Sequence, residues 1–196
     1  MHPVAVRIIK DEHLAISAVL YSLRFVVRKL RDQKEMPNFR LLHAMLDYIV
    51  EYPDRWHHPK EDQWLFQALR QHSPQVAPLI DELQAEHVEN DRLIEELQQS
   101  LIRYETVGAE ELPAFGHAVE TYAQFHWNHM RKEEEVLIPV AEKSLTETDW
   151  QRIGAAFEQN DNPLFGIRPK EQSALLFQRI LTLAPPPIGL GDQRRR

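Results

Sequence analysis

Two short strings in this chain combine imidazoles and carboxylates at a spacing that could do chemistry. HHPKED, from His57 to Asp62, holds two of each, and HMRKEEEVLIP, from His129 to Pro139, holds one histidine and three glutamates. His57 precedes Glu61, and His129 precedes Glu133, by four residues. In a helix such a pair projects from one face about one turn apart, close enough to share a metal ion or to bridge two. The chain has no cysteine, so disulfides, thiolate catalysis and Cys-ligated zinc or iron–sulfur centres are excluded. Imidazole and carboxylate without sulfur suit iron or manganese best, and zinc less well. More than four candidate ligands predict two metals rather than one tetrahedral site. A ferritin-type di-iron site needs Glu-x-x-His from each of two helices, and no histidine here has Glu three residues before it.

These strings must be carried by helices. With six glycines in 196 residues, and prolines near segment ends, long helices are favoured over strands with tight turns. Val6, Ile9, His13, Ile16, Leu20, Leu23, Val27 and Leu30 follow at alternating spacings of three and four, the signature of one buried helix face. A third segment, after Ser73-Pro74, repeats the rhythm with Val76, Ile80, Leu83, His87, Asn90, Ile94, Leu97, Leu101 and Tyr104. A fourth, starting near Glu110, gives Phe115, Val119, Tyr122, His126, His129, Glu133, Val136 and Val140. The second segment is less regular. Leu41, Leu42, Met45, Tyr48 and Ile49 form a face, Tyr52-Pro53-Asp54 breaks it, and Trp64, Leu65, Ala68 and Leu69 resume it after His58-Pro59.

The expectation is an all-α, up-down-up-down four-helix bundle over residues 1–145. A C-terminal extension over 146–196 would hold two short helices, one capped by Thr146 and one from about Lys170 to Leu183, and a mobile tail. His13, His87 and His129 interrupt otherwise apolar stripes. A polar group buried without a partner costs roughly 2–7 kcal/mol, so these side chains must compensate one another in a hydrogen-bonded network or bind something.

The net charge of −7, from 30 acidic against 23 basic residues, argues against nucleic acid as a partner. The Arg194–Arg196 run is too short to imply a polyanion. The N-terminal stretch lacks an apolar leader and no apolar run approaches about 18 residues, so no membrane span is expected and the cytoplasm is the expected location.

His13, HHPKED, His87 and HMRKEEEVLIP, in this order, resemble the hemerythrin-like (HHE cation-binding) domain over about residues 5 to 145. The resemblance implies a four-helix bundle holding a non-haem di-iron centre that binds O2 or NO, or senses iron and oxygen. By position, His13 would be the helix-one ligand, His57 with Glu61 the helix-two ligand and bridge, His87 the helix-three ligand, and His129 with Glu133 the helix-four ligand and bridge. Oxygen-carrying members have two histidines four apart on helix three, whereas here Leu83 and Asp91 flank His87 at that distance. The carriers' helix-four carboxylate falls at Glu134, but Glu133 lies on the stripe and matches the spacing in the iron-sensing F-box protein's domain. That domain also takes a ligand from the position held here by His58. His58 is therefore either the nitrogen that helix three lacks or a solvent-facing cap.

His126, one turn before His129, reads as a further ligand or, in preference, as a hydrogen-bond partner that orients one. Asp62 reads as a surface carboxylate, and Arg131, Lys132 and Glu135 as a solvated face. His43, His72 and His117 read as ordinary, and Tyr104 and Tyr122 as core. The leading functional reading is a protein binding two Fe ions, Mn or Zn being less suited, with O2 or NO as small-molecule ligand and no assigned protein partner. A di-metal oxidoreductase reducing NO, O2 or peroxide, and a metal-free interaction module, are the alternatives.

Overall fold

The apolar stripes become helix faces in the computed structural model, which describes residues 3–33, 36–52 and 56–159 together with Ile180, Thr182 and Ala184. Helix α1 runs Val4–Gln33 and α2 Phe39–Tyr52. The Asn38 side chain accepts from the Leu41 N–H at 3.2 Å and caps the start of α2. The second arm resumes as α3 (His58–Lys60), a π-helical segment (Glu61–Leu65) and α4 (Phe66–His72). Helix α5 runs Ala77–Val107 and ends at Gly108, whose φ of 120° is a conformation that side-chain-bearing residues rarely adopt. Helix α6 (Leu112–Lys132) continues through a second π segment (Glu133–Leu137) into α7 (Ile138–Ser144).

Helix α1 packs on α2 and α6, and α5 packs on α2 and α6, closing the four-helix bundle. The predicted stripes of α1 and α5 are buried throughout, as is that of the fourth arm as far as Glu133. Beyond Glu133 the prediction slips by one residue. Val136 is 46% exposed, while Leu137, Ile138 and Ala141 are buried. The cause is the π segment, which adds a residue to the turn and moves the inward face onward. The second arm shows the same slip: Phe66 joins Leu65 and Leu69 in the core, while Trp64 and Ala68 stay half-buried.

The core divides into two apolar clusters. One holds Ile16 to Leu30 of α1 with the facing parts of α2, α5 and α6, and the other holds Ala5, Val6 and Ile9 with Leu65, Phe66, Leu83 and Leu137. Between them lies a buried polar layer comprising His13, His57, His58, Glu61, His87, Asn90, His126, His129 and Glu133. The second cluster is completed by α8 (Glu147–Phe157), whose Trp150, Ile153 and Phe157 pack into it. The Thr146 hydroxyl and the Asp149 carboxylate form a reciprocal capping box at its start, as the sequence predicted for Thr146. The helix expected from about Lys170 to Leu183 lies outside the described residues except for Ile180 and Thr182, and the expected tail lies outside them except for Ala184. No helix among the described residues is long and apolar enough to cross a membrane.

Candidate metal centre

Each histidine on an inward stripe arrives with its ring already oriented. His13 donates its Nδ1–H to Glu134 at 2.8 Å, and His57 donates to Glu12 at 2.7 Å. His87 donates to Asp62 at 3.1 Å and His129 to Glu86 at 3.0 Å. The pattern is cyclic: α1 supplies the carboxylate for the second arm, the second arm for α5, α5 for the fourth arm, and the fourth arm for α1. With Nδ1 donating outward, Nε2 of each ring turns inward, where it carries a lone pair whenever the imidazole is neutral.

The inward nitrogens fall into two groups. Nε2 of His13 lies 3.1 Å from Nε2 of His57, and Nε2 of His87 lies 3.2 Å from Nε2 of His129. Two lone pairs facing each other at such distances require a positive charge between them. Glu61 and Glu133 sit between the two groups. Glu61 places Oε1 at 3.2 Å from His57 and Oε2 at 3.6 Å from His87. Glu133 places Oε2 at 3.3 Å from His13 and Oε1 at 3.5 Å from His129. Each carboxylate thus offers one oxygen to each side, and none of these four buried oxygens receives a hydrogen bond. Orphaned carboxylate oxygens opposite bare imidazole nitrogens fit a pair of cations.

Donor atoms that could hold a metal ion lie within 4.8 Å of one another in three overlapping groups: His13, His57, Glu61 and Glu133; Glu61, His87, His129 and Glu133; and His58, His87 and His129. All seven residues singled out from the sequence are brought together. His58 is only 5% exposed and stacks on His87 at 4.2 Å, which overturns the reading of it as a solvent-facing cap. Asp91 is exposed, whereas Leu83 is buried in the apolar cluster.

Charge follows this geometry. Burial alone would lower His13, but Glu133 and Glu134 outweigh it and raise the imidazolium to about 9. His57 is likewise depressed by burial but raised well above its ordinary value by Glu61 and Glu12. His129 is raised against burial by Glu133, Glu86 and Glu61. Burial would push the Glu133 carboxyl up, yet His129, His13 and His57 hold it well below the carboxylate range. Burial together with neighbouring histidines pushes His58 and His126 well below 6.5, and at His126 Glu133 only partly offsets this. In the metal-free chain, positive charge collects on His13 and His57 while His58 stays neutral.

Five polar positions behind the histidines were not read in the role they take. Asp62 is not a mere surface carboxylate, because it orients His87 while accepting from Gln84 at 3.0 Å. Lys132 is not simply solvated, since its ammonium pairs with Glu82 and Glu86 and so fixes the carboxylate behind His129. Glu12 and Glu86 went unread, and Glu134 was weighed only as the alternative helix-four ligand. A signal existed, because one inward station on each arm has an acidic neighbour in sequence: Glu12-His13, Glu61-Asp62, Glu86-His87 and Glu133-Glu134.

His126 donates Nε2–H to Asn90 Oδ1 at 2.8 Å, where the Tyr122 hydroxyl also donates at 3.0 Å, and its own Nδ1 remains buried without a hydrogen bond. His43 and His72 form ion pairs with Glu105 at 2.7 Å and Asp149 at 3.1 Å, away from the centre, and His117 is exposed.

The family model of the hemerythrin HHE cation binding domain matches residues 4–141. The chain belongs to the hemerythrin HHE cation-binding family. No significant match was found among curated proteins or among solved structures. Membership accounts for a metal-binding helical bundle, and the match closes before α8, which begins at Glu147. In this hemerythrin-type chain, α8 nonetheless reaches the centre: the Phe157 ring meets His57 edge-on at 6.1 Å.

Proposed function

We propose that this hemerythrin-type chain holds two iron ions in its polar layer and uses them to bind O2 or NO. The observation that carries the reading is the placement of Glu61 and Glu133, each with one unpartnered oxygen toward either histidine group. His13 and His57 would hold one ion, His58, His87 and His129 the other, and the two glutamates would join them. The side with two imidazoles leaves more room for an exogenous ligand than the side with three. A ferrous pair, when bound, supplies electrons and an open position for a diatomic ligand. The protein's contribution is to fix the imidazole tautomers through Glu134, Glu12, Asp62 and Glu86, and to exclude water with the apolar clusters above and below.

The test is anaerobic Fe2+ loading of the wild type and of His129→Ala, followed by optical spectra before and after adding O2 or NO. The expected result is a ligand-dependent absorption change in wild type that is lost or strongly reduced in the variant. A wild type that takes up no iron contradicts the reading, as does an iron-loaded wild type whose spectrum answers neither gas. Sustained consumption of the gas with added reductant would instead favour an oxidoreductase.

A further inference from the structure

A cavity of about 490 Å3 opens between α1 and the fourth arm, and its wall includes His13 and Glu134. Asp11 and Glu135 add carboxylates to the wall, and Lys10 and Arg131 add positive charges. Glu134 differs from the other carboxylates behind the site histidines. Asp62 is also held by Gln84, Glu86 by Lys132, and Glu12 is buried. Glu134 is 39% exposed at its side chain, and His13 is its hydrogen-bonded partner. Beyond His13 lies the unpartnered Oε2 of Glu133 at 3.3 Å from the imidazole Nε2. An exposed anionic oxygen, an imidazole and a buried anionic oxygen thus follow one another from solvent to centre.

From this arrangement we infer that the cavity is the port through which a hydrated divalent cation enters and leaves the centre, with Glu134 as the capturing carboxylate. The inference rests on the dinuclear centre proposed above. Glu134 is loosely enough held to exchange its bond to His13 for an incoming cation, while His13 passes the cation inward to Glu133. Asp11 and Glu135 place two further carboxylates at the mouth.

The experiment uses the metal-free full-length chain and Co2+ as probe, with loading followed by stopped-flow absorbance and removal followed after adding excess chelator. Ser17 and Leu14 line the cavity, and Ser17→Trp or Leu14→Trp obstructs it. Each is expected to slow loading and removal together, by at least about tenfold, because an obstructed route changes both rates and leaves the equilibrium constant in place. Glu134→Gln, which keeps an acceptor for His13, is expected to slow loading by about tenfold through loss of the capturing charge. Ala68→Trp, which fills a separate cavity lined by Trp64 and Arg152, serves as the control and leaves both rates unchanged. Folding of every variant is checked by circular dichroism. Loading and removal at wild-type rates in the obstructed variants overturn the port alone. Absence of Co2+ uptake by the wild-type chain overturns the centre and the port with it.

Discussion

The two sides of the polar layer are built on one plan and differ in how firmly they are held. The His13/His57 side has two imidazoles, one backed by the buried Glu12 and one by the exposed Glu134. The His58/His87/His129 side has three, and its backing carboxylates are tied outward: Asp62 to Gln84, which meets Arg70 at 2.8 Å, and Glu86 to Lys132. On the first side both imidazoles are raised by neighbouring carboxylates; on the second, His129 is raised while His58 is pushed down by burial and by the surrounding histidines. The lesson is that a nearly symmetric set of ligand types becomes functionally asymmetric through the residues behind it. On the reading proposed above, the second side is the one that holds its cation firmly and the first the one that exchanges with solvent.

The largest expected effect comes from removing what the sides share. Glu133→Ala strips a carboxylate from both groups and leaves the imidazolium of His13 without its buried partner, a change of about 3–5 kcal/mol in the metal-free chain. Metal analysis is expected to show loss of both ions and denaturant unfolding an earlier midpoint. Retention of two ions would break the comparison, because the sides would then be independent.

Next in size is His58→Leu, which keeps the site filled but removes the third nitrogen from one side. Metal content is expected to fall toward one ion per chain, with the His13/His57 side still loaded. Two tightly held ions in this variant would return His58 to a packing role.

Smaller again are the backing carboxylates. Asp62→Asn and Glu12→Gln keep hydrogen-bond acceptors but remove charge, and each is expected to weaken metal affinity by roughly 10–100-fold. Glu12→Gln should fall at the upper end, because no water reaches the buried position to compensate. Competition titrations with a calibrated chelator measure both, and equal losses would erase this part of the asymmetry.

The pH dependence is the mildest lever, and its sign differs between the metal-free and loaded chains. His13 is raised from 6.5 to about 9, so its contribution to metal-free stability is complete below about 6.5 and is lost as pH rises through about 9. A cation must displace that same proton, so affinity rises over this window, roughly tenfold per pH unit for each proton released. Denaturant unfolding of the metal-free chain at pH 6.5 and 9, beside metal titrations at both, checks the opposition. Parallel trends would remove His13 from the account.

What the sequence made legible was whatever a constant helical period could carry. The stripes of α1 and α5 place His13 and His87 correctly because nothing interrupts those helices before or after them. The period failed after Glu61 and Glu133, where the π segments advance the inward face to Phe66 and to Leu137 and Ile138. Residue types alone do not encode that extra residue per turn. Glu12, Asp62, Glu86 and Glu134 were obscured for another reason. An acidic residue beside an inward station looks like ordinary helix surface until the neighbouring helix places a histidine against it. Helix α8 was read from its Thr146 cap, but its contact with His57 depends on packing that no local pattern contains.

The central claim, a pair of cations joined by Glu61 and Glu133, is tested most directly by counting ions. Metal-free wild type and a Glu61→Ala/Glu133→Ala double variant are loaded anaerobically with Fe2+, freed of excess metal, and assayed for iron per chain. The account predicts two per chain in wild type and none retained in the double variant. A wild type with one ion or none, or a double variant that still holds two, would contradict it.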